Sequence, residues 1–63
     1  MNKYEVAINP NLSILVEAKK VHVKADKSLV FYNPQNSIGE QYLYGSEVVA
    51  VFNSNEYLYF LKK

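Results

Sequence analysis

Residues 47–63 of this chain read EVVAVFNSNEYLYFLKK and are apolar on both parities. A half-buried strand alternates, because successive side chains point to opposite faces of a sheet. A sheet holding this segment therefore has two apolar faces to cover, and 63 residues supply little to cover them with. A chain of this length buries only about 60% of its unfolded surface, which leaves a thin margin of stability. Small domains usually offset that with disulfides, a metal or a partner chain. The chain has no cysteine and one histidine, which excludes disulfides, thiolate metal sites and a His-rich metal site. An efficient core or self-association remains.

Turn signals recur about every eight to twelve residues, as in an all-β chain. Pro10 lies between two asparagines, YNPQNSIGEQ at 32–41 is the longest polar segment, and Gly45 with Ser46 reads as a type II′ hairpin turn. Between the turns lie segments rich in Val, Ile, Tyr and Phe, at 4–8, 12–18, 21–25, 29–33, 41–44, 47–53 and 57–61. The expected fold is all-β: one domain over 1–63, a small antiparallel meander of six or seven strands curled into a barrel-like sheet. A rival reading makes 55–63 a helix, with Asn53 and Glu56 spaced for a capping box. The aromatic run from Tyr57 to Phe60 favours strand.

Tight turns fix register. A two-residue loop at Lys19 and Lys20 would pair Ala18 with Val21, Val16 with Val23 and Ile14 with Ala25. The opposite face would then place Glu17 beside His22, a candidate pH-sensitive pair. A loop at 26–28 would pair Ala25 with Leu29 and Val23 with Phe31. In the second half, a turn at Gly45 and Ser46 would pair Leu43 with Val48 and Tyr42 with Val49. A turn at Ser54 and Asn55 would pair Phe52 with Tyr57, Val51 with Leu58, Ala50 with Tyr59 and Val49 with Phe60. Both faces of that second sheet come out apolar.

Three functional classes fit these features. The leading one is a non-catalytic protein-interaction module that associates with itself and acts as an inhibitor or adaptor of a foreign protein. Its expected contact set is Tyr42, Tyr44, Val49, Leu58 and Phe60, because Glu40 and Glu47 would rim that face. Aspartate at Val49 would then break the contact, since a charge in an apolar contact is costly unless paired. The second class is a small barrel gripping single-stranded nucleic acid through Lys19, Lys20, Lys24 and Lys27, with tyrosines for stacking. A net charge of +1 and the absence of arginine argue against it. The third is a small-ligand binder with its pocket between subunits.

One histidine supports no nucleophile–base–acid arrangement, so no catalytic, cofactor-binding or metal-binding residue is expected. The apolar runs are too short to span a membrane, and no signal peptide is evident, so a cytoplasmic setting is expected. Abundant Asn, Lys, Tyr and Ile point to an AT-rich genome, and the chain looks like many short β-proteins of bacteria and phages. No motif carries a function over from that likeness.

Overall fold

The computed structural model describes residues 1–34 and 46–63. The expected strand at 41–44, the turn at Gly45, and Tyr42 and Tyr44 with it lie outside the described residues. Six strands are present among them: β1 (Asn2–Asn9), β2 (Leu12–Ala18), β3 (Lys20–Val23), β4 (Leu29–Pro34), β5 (Ser46–Phe52) and β6 (Tyr59–Lys62). The all-β expectation holds. The strands divide into two antiparallel three-stranded sheets, ordered β2-β1-β6 and β3-β4-β5, and neither closes into a barrel.

The two middle strands carry the core. In β1, Tyr4 and Val6 point inward and are buried. β4 contributes Leu29 and Phe31, both fully buried. Val16 and Ala18 from β2 complete the centre, and Ala50, Phe52 and Phe60 pack around it. Phe31 is the hub. Its ring centroid lies 5.1 Å from Tyr4, 5.9 Å from Phe52 and 6.2 Å from Phe60. The last two contacts are edge-on, the arrangement that opposes a ring's positive edge to its neighbour's negative face. Val30 and Tyr32, on the other parity of β4, are buried as well.

Two expected hairpins are absent. β2 and β3 do not pair; β2 lies beside β1, with Tyr4 opposite Val16, and β3 lies beside β4. Lys19 is the single residue between them, where the chain steps from one sheet to the other. A two-residue hairpin there would need the left-handed backbone that glycine and asparagine tolerate, and two lysines supply it poorly. The step is held from both sides. The Lys19 amide donates to Asn33 Oδ1 at 2.8 Å, and its carbonyl accepts from Asn2 Nδ2 at 3.0 Å. Glu17 consequently faces Lys3, and His22 faces Val30, so the expected Glu17–His22 pair does not form.

β5 and β6 do not pair either. Phe52 sits opposite Leu29 in one sheet, while Phe60 sits opposite Val6 in the other. The register expected at Ser54 and Asn55 fails because Phe31 takes a ring from each sheet, which pulls Phe52 and Phe60 apart. The capping-box pairing does form, with the Asn53 amide donating to Glu56 Oε1 at 2.8 Å. It closes one turn and no helix follows.

The β3–β4 hairpin forms with its loop one residue earlier than expected. Val23 faces Leu29 and Val21 faces Phe31. Parity is kept, so Val21 and Val23 still share a face with Leu29 and Phe31, but Val23 at the hairpin end is exposed.

Candidate interaction surface

The outward face of the first sheet is built by three strands. Glu5 in β1 has Leu15 of β2 on one side and Leu61 of β6 on the other. Ala7 has Ser13 and Tyr59 as its neighbours in the next row. Leu15 is 58% exposed, Tyr59 54% and Leu61 51%, so this face presents large apolar groups to solvent. Glu5 meets Lys63 Nζ at 2.9 Å. The hydrogen bond and charge of Lys63, aided by the Ser13 hydroxyl, hold the Glu5 carboxyl below its ordinary range, and Glu5 in turn raises Lys63. The pair is largely wet and screened, so it orders the surface more than it stabilises it.

The second sheet leaves Val48 and Val51 exposed on β5. Val49 has no opposite number: Phe31 faces Ala50 and Tyr32 faces Val48, so Val49 is the extra residue of a β-bulge. Of the expected contact set, Val49 and Leu58 are exposed, but they belong to different parts of the fold. Phe60 points into the core against Tyr4 and Phe31, because its register with Val6 places it on the inner face. It is not a surface contact residue.

The four lysines are not brought into one patch. Lys19 lies at the step between sheets and Lys20 begins β3, while Lys24 and Lys27 lie in the hairpin loop beyond its other end. Along a strand of about 3.3 Å per residue, Lys19 and Lys24 stand roughly 16 Å apart. Their amides and carbonyls have structural work: Lys24 donates to the Ser28 carbonyl at 2.8 Å, and the Lys27 carbonyl accepts from the Tyr57 hydroxyl. Among the described residues, no three His, Asp or Glu side chains converge in a way that could hold a metal ion. No helix among them is long and apolar enough to cross a membrane.

Sequence reasoning did not single out Asn33, which is buried and bridges the Lys19 amide to Glu47 Oε1, the latter at 3.1 Å. An asparagine inside an apolar run, between Tyr32 and Pro34, was the available signal, since a buried amide needs partners. Leu15 is exposed, with Glu5 of β1 on one side and the outer edge of β2 on the other. Comparison with protein-family models, curated proteins and solved structures finds no match.

Proposed function

We propose that this chain is a non-catalytic β protein that acts through protein–protein contacts, associates with itself, and serves as an inhibitor or adaptor in a bacterial or phage cytoplasm. The observation that supports it is the exposure of Tyr59 and Leu61 on β6 and of Leu15 on β2, on one sheet face with Glu5 of β1 between the two edges. Single exposed apolar residues are normal on any protein. Grouped ones mark interaction sites, and Tyr59 and Leu61 lie next to each other on this face of β6. A domain with so thin a margin also gains most from having such a face covered, at roughly 1.5–3 kcal/mol for each large apolar side chain fully buried.

The lysine placement gives the nucleic-acid reading no support, because the charges sit at opposite ends of a strand. The test is molar mass in solution by light scattering across a concentration series. The expected result is a mass that rises toward that of a dimer. A strictly monomeric parent at the highest concentration reached would end the self-association reading.

A further inference from the structure

We infer that two copies join edge to edge along β2, making one six-stranded sheet from the two β2-β1-β6 sheets. This inference rests on the self-association proposed above and specifies its seam.

The direction of the backbone groups identifies the open edge. The Lys3 carbonyl accepts from the Lys63 amide, so odd-numbered residues of β1 face β6. Even-numbered ones face β2, where Tyr4 is opposite Val16 and Val6 opposite Ile14. Backbone groups alternate along a strand. The amides and carbonyls of Ser13, Leu15 and Glu17 therefore point away from β1, and all three residues are exposed.

An unpaired strand edge templates pairing with another chain, and native proteins blunt such edges with short strands, lysine, proline or bulges. The other three outer strands among the described residues each carry one of these devices. β3 has four residues and begins with Lys20; β6 has four and ends with Lys62. β5 is bulged at Val49. β2 has seven residues, LSILVEA, with neither lysine nor proline, and its own pairing with β1 is regular from Ser13 to Ala18.

A second copy fits this edge. Full antiparallel overlap of Leu12–Ala18 with itself puts the two-fold axis at Leu15. Leu15 then meets its own copy, Ser13 meets the copy's Glu17, and Ile14 meets the copy's Val16. Faces match: Ile14 and Val16 are both on the core side, and Ile14 is 41% exposed in the single chain. Glu17 is the strand's one charge, and it finds a hydroxyl rather than another carboxylate. A homodimer seam must be self-complementary in this way.

The test uses the whole chain. Leu15→Lys and Leu15→Glu each place a like charge against itself at the axis, and the exposure of the site leaves the fold intact by circular dichroism. Each should weaken the dimer about tenfold or more, since like-charge juxtaposition is strongly unfavourable. An equimolar mixture should recover it, and Val49→Asp should leave it unchanged. Should either charged variant fail to fold, Leu15→Cys decides in a chain that has no other cysteine. Facing residues that exchange backbone hydrogen bonds lie about 5.5 Å apart, within disulfide range. It should oxidise to a linked dimer faster than Leu61→Cys. A dimer that survives both charged variants, or a cysteine pair no faster than Leu61→Cys, would overturn the β2 seam while leaving self-association standing. Loss of the dimer in Val49→Asp alone would move the seam to β5. A monomeric parent would remove both the seam and the reading it rests on.

Discussion

Lys27 holds φ at 70°, the left-handed region that a side chain resists. It follows a tight turn closed by its own amide on the Lys24 carbonyl at 2.9 Å. Ser28 then donates to Asp26 Oδ1 at 2.9 Å, which holds the Asp26 carboxyl below its ordinary range. This is the position in a three-residue hairpin loop where glycine is usual. Relief of the left-handed cost exceeds glycine's added entropy, so Lys27→Gly should raise stability by about 0.5 kcal/mol. Lys27→Val should lower it by about 1 kcal/mol or more, because a β-branched side chain fits there worst. Urea titrations of the two variants, moving in opposite directions from the parent, would confirm the geometry. A second residue-scale expectation concerns pH. Glu5 titrates lower in the folded protein than in the unfolded chain, through Lys63. Its contribution is present above the ordinary carboxylate range and disappears as the pH falls through its depressed value. Thermal melts of the parent and Glu5→Gln should therefore differ slightly at neutral pH and converge in acid. A gap that persists at pH about 2 would assign the effect to packing.

Elements here are placed by a few polar contacts at their ends. Asn33, in β4, fixes the step between β2 and β3 by accepting from the Lys19 amide. Asn33→Ala would leave that amide and Glu47 without this partner, at a cost of about 1–3 kcal/mol. The expected result is a lowered melting temperature with unchanged secondary structure. Equal stability would mean that the step is held by packing alone. The connection from β5 to β6 is placed in the same manner. Glu56 closes its first turn, and Tyr57 reaches across to the Lys27 carbonyl of the β3–β4 hairpin. The Leu58 amide then donates to the Ala7 carbonyl at 2.7 Å, which starts β6 alongside β1. Local capping chemistry at Asn53 was readable from spacing alone. It did not propagate, because the next residues are committed to contacts far away in sequence.

For the whole molecule, the division between sequence and tertiary structure is clear at named positions. Strand composition and turn spacing set which segments are extended; β2 occupies Leu12–Ala18 as expected, and β4 begins at Leu29 as expected. Period and β-propensity are local properties, so a sequence carries them. Parity survived too: Val21 and Val23 share a face with Leu29 and Phe31 although the loop lies one residue earlier. Partnership did not survive. Neighbouring strands were expected to pair through short loops, and at Lys19 and at 53–58 the chain instead crosses between sheets. The doubly apolar end of the chain shows why. Phe52 and Phe60 both belong to the core, and they reach Phe31 from different sheets. A pairing rule based on loop length considers two strands at a time. Ring packing around Phe31 involves four strands at once, β1, β4, β5 and β6. Among the described residues, the sequence alone determined roughly where the strands lie, with ends shifted by up to two residues at β3 and β6, and the alternation within β4. Tertiary structure decided which strands lie together, because burial of a shared aromatic core outweighs the local convenience of a two-residue turn.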